Sequence, residues 1–117
     1  MRWIQSEPVT ALFTTSITEA ELLYGAALLP DGGRRQALET VLARLLSGWF
    51  SGRILPFDGV AAREFAEIAA NRRRAGRPIG EADCRIAAIA RSRGASIATR
   101  NVSDFADCGI AVIDPWR

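Results

Sequence analysis

The stretch that most restricts the fold is Pro78 to Phe105, PIGEADCRIAAIARSRGASIATRNVSDF, because it reads as a helix followed at once by a strand of matched length. Gly80 suits an N-cap, and Glu81 and Asp83 fall in the first turn, where the helix dipole favours negative charge. Ala82, Ile86, Ala87, Ile89 and Ala90 repeat at helical spacing, and Gly94 is placed to end the helix. Ser96 to Thr99 then reads as a buried strand, with Arg100 to Asp104 a polar loop at its exit. A helix from Asp83 to Arg93 runs about 15 Å at ~1.5 Å per residue. A strand from Ala95 to Arg100 returns about 16 Å at ~3.3 Å per residue. Packed antiparallel, the two bring Asp83 level with Asn101 or Asp104 at the C-terminal edge of a sheet, where open α/β folds place their sites. The other reading of these acids is structural, with Asp83 serving only the helix dipole and Asp104 only capping a turn. Spacing alone leaves both open.

The remainder alternates in the same way. Met1 to Ser6 has the pattern of a helix fragment, and Ala11 to Thr15 that of a short strand. Ser16 is placed to cap a helix over 17–29 that is apolar nearly all round, through Leu22, Leu23, Tyr24, Ala26, Ala27, Leu28 and Leu29. Burial on more than one side is therefore expected, part of it in a subunit interface. Glu21 shares a face with Ile17, Tyr24 and Leu28, and a carboxylate on an apolar face needs a partner or a metal; Glu19 lies on another face. An amphipathic helix over 33–47 has Leu38, Val41, Leu42, Leu45 and Leu46 inward. Arg53 to Pro56 reads as a strand, Asp58 as an N-cap, and 60–75 as a helix with Ala61, Phe65, Ile68 and Ala69 inward. That helix ends in Arg72, Arg73, Arg74 and Arg77, a cluster open to two readings: a solvated helix end, or a contact for RNA. Gly109 to Ile113 is expected as a last strand, closed by Asp114-Pro115-Trp116. Strands alternating with helices through short connections predict one α/β domain over 1–117 with a mostly parallel sheet.

Composition removes whole classes of chemistry. The chain has no His, which excludes His-based acid–base catalysis, Ser-His-Asp triads and His-ligated zinc. It also has no Lys, so all 15 positive charges are Arg, against 13 acids. Any metal must be held by carboxylate and amide oxygens, the donor set of Mg²⁺ or Mn²⁺. Cys84 and Cys108 have no CxxC spacing and read as reduced packing residues. No apolar run reaches membrane length and the polar start lacks a signal peptide's pattern, so a cytoplasmic protein is expected, with no membrane partner. Phosphate-binding signatures such as GxGxxG are absent.

Taken together, SITEAELLYG, GRILPFD, RRRAGRPIGEAD, IAAIARSRG, IATRNVSDF and the closing VIDPW resemble the PIN-domain toxins of the VapC family, close to the FitB subgroup. The resemblance implies a PIN-like α/β fold and a Mg²⁺- or Mn²⁺-dependent endoribonuclease, the toxin of a toxin–antitoxin pair. It also implies a VapB-like antitoxin partner, an RNA substrate and a homodimer. It carries two acidic positions onto Glu21 and Asp83; the last falls first on Asp104, with Asn101, where some FitB-like members carry Asp, as an additional oxygen ligand or substrate contact. Arg100 and Arg72, Arg73, Arg74 and Arg77 become candidate RNA contacts. One departure stands out. Family members open with a central strand ending in an LDTN-like motif, and MRWIQSEPVTALFTTSI matches the family only after that strand. The expected fold is therefore PIN-like, a mostly parallel sheet flanked by helices, with its first, central strand missing from this sequence. The alternative function is a non-catalytic PIN remnant that binds antitoxin or RNA without cleaving.

Overall fold

The computed structural model describes residues 12–98 and 102–113. The expected helix over 1–6, Thr99, Arg100, Asn101 and the closing Asp114-Pro115-Trp116 lie outside the described residues. In order, the elements are β1 (Thr14–Thr15), α1 (Ser16–Ala27), α2 (Gly33–Ala43) continued by wide π-type turns over Arg44–Trp49, β2 (Ile54–Leu55), α3 (Gly59–Arg74), α4 (Glu81–Ser92), β3 (Ile97–Ala98), a 3₁₀ turn (Val102–Phe105) and β4 (Val112–Ile113). They form two compact units that divide between Pro56 and Phe57.

In residues 12–56, β1 and β2 pair in parallel, Thr14 opposite Ile54 and Thr15 opposite Leu55. Thr15, the last extended residue of β1, caps α1: its hydroxyl accepts from the Thr18 amide at 3.1 Å. The cap thus falls one residue before the expected Ser16, because the extended backbone of Thr15 (φ −121°, ψ 157°) is what aims an oxygen at the open amides. The buried apolar residues are Ala26, Leu42 and Leu46, with Ile54 packed against them. Leu22, Leu23, Tyr24 and Leu28 are exposed within the single chain, and Leu38 and Val41 of α2, expected inward, are exposed as well. The π-type turn closes with the Phe50 amide donating to the Leu45 carbonyl at 2.9 Å. It leaves the Trp49 and Phe50 rings edge to face at 4.8 Å, with the Arg53 guanidinium over both.

In residues 57–113, β3 and β4 also pair in parallel, Ile97 opposite Val112 and Ala98 opposite Ile113. The described strands thus make two two-stranded parallel sheets. Asp58 caps α3 as expected, accepting from the Ala61 amide at 3.0 Å. The core joins Ile68 of α3 to Cys84, Ala87, Ala88 and Ala90 of α4, to Ile97 of β3, and to Phe105 and Cys108. Alanines on α4 let α3 approach closely, and the seam is tied by Arg91 to Glu64 at 2.8 Å and to Glu67 at 2.6 Å. Both cysteines are free and buried, as expected. Gly94 takes a positive φ of 64° just past the end of α4, a conformation glycine adopts without steric cost. The expected polar loop after β3 is instead a 3₁₀ turn that buries Phe105, because the aromatic ring finds apolar cover against α4.

Candidate metal-binding site

Two acids open α4, and the fold treats them differently. Glu81 is exposed and pairs with Arg85 one turn on. The Arg85 guanidinium is also held over the rings of Phe57 and Phe65, at 5.9 and 5.8 Å. Asp83 is half-buried and has no hydrogen-bond or ion-pair partner among the described residues. A carboxylate partly withdrawn from water gains from a positive partner, and the helix N-terminus supplies only part of that. Next to it, Cys84 turns inward to the core, its sulfur 3.8 Å from the Phe65 carbonyl. Burial pushes the Cys84 thiol above its usual range, neighbouring Cys108 adds to the rise, and Arg72 and Arg85 oppose it. Such a thiol stays protonated and inert, which removes thiolate chemistry from the site.

Asp104 lies in the 3₁₀ turn with its side chain exposed, followed by buried Phe105. Cys84 and Phe105 belong to one buried cluster, so Asp83 and Asp104 each stand next to a residue that anchors α4 and the turn together. Glu21 is mid-helix in α1, exposed, within residues 12–56. Asn101 and Arg100 lie outside the described residues. Among the described residues, no three His, Cys, Asp or Glu side chains form a group that would hold a metal ion. Two carboxylates still suit Mg²⁺, which binds through one or two carboxylates and keeps several waters. With no His in the chain and both cysteines buried, the donors are hard oxygens, and the chemistry of the set fits that ion.

The basic cluster divides in two. Arg72 is 6% exposed and its guanidinium is engaged through Nε and Nη1. Nε donates to the Arg77 carbonyl at 2.7 Å, and Nη1 to the carbonyls of Asp104 at 3.0 Å and Ala106 at 2.9 Å. Arg72 is thereby withdrawn from the set of RNA contacts expected from the sequence. The signal for this was present: position 72 continues the inward stripe of Ala61, Phe65 and Ile68 at helical spacing. Arg73, Arg74 and Arg77 are exposed; Arg74 donates to Asn71 at 3.3 Å and Arg77 pairs with Asp107 at 2.8 Å.

Comparisons with known proteins identify the family. The PIN domain family profile matches residues 1–109, and the chain belongs to the PIN-domain family. It is 38% identical to the VapC ribonuclease Y4jK of Sinorhizobium fredii over its whole length, covering 84% of that protein. It is 36% identical to Toxin FitB of Neisseria gonorrhoeae over 98% of this chain and 83% of that one. The crystal structure of FitAcB from Neisseria gonorrhoeae superposes with a TM-score of 0.92 at 35% identity, covering 99% of this chain and 84% of that chain. The fold is the α/β PIN fold expected from the sequence.

Proposed function

We propose that this protein is the toxin of a type II toxin–antitoxin pair and a Mg²⁺- or Mn²⁺-dependent endoribonuclease. The observation that carries the chemistry is Asp83: half-buried, unpartnered among the described residues and next in the chain to a core anchor, while its neighbour Glu81 is exposed and paired. The ribonuclease and toxin names of relatives at 38% and 36% identity support the activity class. The residues that would hold the ion are Asp83 and Asp104; Glu21 and Asn101 are carried by the resemblance alone. When bound, the ion supplies positive charge to the scissile phosphate and makes a water acidic enough to attack phosphorus in line. No protein nucleophile is required, in keeping with the absence of His and the inertness of Cys84.

The other residues serve binding. Arg73, Arg74 and Arg77 offer exposed guanidinium groups that attract the RNA backbone, with Arg100 as a further contact. The family match runs across both compact units, which supports reading the chain as one domain. A VapB-like antitoxin is the partner the toxin family implies. The uncovered side chains of Leu22, Leu23, Tyr24 and Leu28 support a homodimer or an antitoxin contact over α1. Among the described residues, no helix is long and apolar enough to cross a membrane, and the proposed place of action is the cytoplasm. The test is cleavage of RNA by the purified chain in MnCl₂, with and without a chelator. Cleavage that needs the metal and vanishes in Asp83→Asn is expected. Retained RNA binding without cleavage in the unsubstituted chain would establish the non-catalytic alternative.

A further inference from the structure

Arg72 is a buried cation with no carboxylate partner among the described residues, and its position needs a reason. An apolar side chain of similar length would fill the same space without losing hydration. Instead, the guanidinium gathers three main-chain carbonyls, those of Arg77, Asp104 and Ala106, and approaches the Cys108 sulfur at 3.6 Å. Hydrogen bonds from a charged donor are roughly twice as strong as neutral ones, which offsets the desolvation. The location in the last turn of α3 also favours a cation.

Two of these carbonyls belong to a segment with little regular structure of its own. After the 3₁₀ turn, its further backbone bond among the described residues is Ala106 to the Ser103 carbonyl at 3.3 Å. Asp107 sits in the left-handed region at φ 59°, which Asp enters more readily than most residues. An outer tie, Arg77 to Asp107, is exposed and screened by salt, whereas the inner tie through Arg72 is buried.

We infer that Arg72 is a positioning residue for Asp104: by gripping the backbone of the Asp104–Cys108 segment, it sets the metal affinity of the site. The inference rests on the reading of Asp104 as a metal ligand. Arg72→Lys keeps the charge but cannot span carbonyls in three places from one planar group. The experiment titrates Mn²⁺ alone into the full chain as wild type, Arg72→Lys, Asp104→Asn and the double variant, with thermal melts to confirm folding. Arg72→Lys is expected to bind Mn²⁺ about 10- to 100-fold more weakly, the scale of losses from altering groups that orient metal ligands. In the Asp104→Asn background the same change is expected to add nothing, and in RNA cleavage kcat is expected to fall while KM holds. Should Arg72→Lys not fold, Arg72→Met takes its place, since it removes the donor together with the buried charge.

A folded Arg72 variant that binds Mn²⁺ like the wild type overturns the inference. So does an equal loss in both backgrounds, which would mark a general structural effect. Wild-type Mn²⁺ binding by Asp104→Asn also overturns it, while leaving the ribonuclease reading to stand on Asp83. Failure of the unsubstituted chain to cleave RNA would strike only that reading.

Discussion

Helix α1 carries Leu22, Leu23, Tyr24 and Leu28, while α4 is built largely from alanine and isoleucine, yet it is α4 that is buried. Within the single chain Tyr24 is 67% and Leu28 66% exposed, whereas Ala87, Ala88 and Ile89 are at 0%. The difference lies in shape rather than apolarity. Small residues on α4 let α3 approach, so that Ile68 and Phe105 are buried in the seam with Phe65 packed against them. Large residues spread around α1 exceed what one neighbour can cover. Apolar content therefore measures the demand for burial, and only the fit of facing elements shows whether it is met.

The largest stability effect should come from the filled seam. Ile68→Ala removes a side chain that is 1% exposed and is expected to cost about 2–5 kcal/mol, read as a shift in the denaturant midpoint. Tyr24→Ser on the uncovered face is expected to stay within about 0.5 kcal/mol in the monomer. Equal losses from the two would break the comparison. Next in size are the caps, one in each unit. Asp58→Ala and Thr15→Ala are each expected to cost about 1 kcal/mol, because each removes the side-chain acceptor of one helix amide.

The smallest effect is a pH dependence. Burial raises the Cys84 thiol above its ordinary value of 9.0, so the folded state holds its proton where the unfolded state releases it. Stability from this group is complete below about pH 9 and declines as pH rises toward the raised folded value. Cys84→Ala should flatten that alkaline decline in thermal melts taken from pH 8 upward. An unchanged slope would mean the thiol is not held in its neutral form.

What the sequence disclosed, and what it withheld, follows the same division. Local signals were legible: Asp58 as a cap, Gly80 and Gly94 bounding α4, and the inward stripe of α3 all depend on residues a few positions apart. So was the pair Cys84 and Cys108 as buried, free thiols. The cap of α1 fell on Thr15 rather than Ser16, since neighbouring hydroxyls offer the same group and backbone conformation decides between them. The burial of Arg72 runs against its charge and depends on acceptors at Asp104 and Ala106, more than thirty positions away. The 3₁₀ turn at Val102–Phe105 likewise depends on Phe105 reaching the α4 core, a contact that no local pattern reveals. At the candidate site, the family motifs named Asp83 and Asp104, and the structure added the contrast between Asp83 and the paired Glu81.

That contrast supplies the most direct test. Mn²⁺ is titrated into the wild-type chain, Asp83→Asn and Glu81→Gln, with folding of each checked by circular dichroism. Asp83→Asn should weaken Mn²⁺ binding at least about tenfold, the lower end of losses seen when a metal site's support is altered, while Glu81→Gln leaves it unchanged. Equal binding by all three would contradict the account, reducing Asp83 to a second charge at a helix N-terminus.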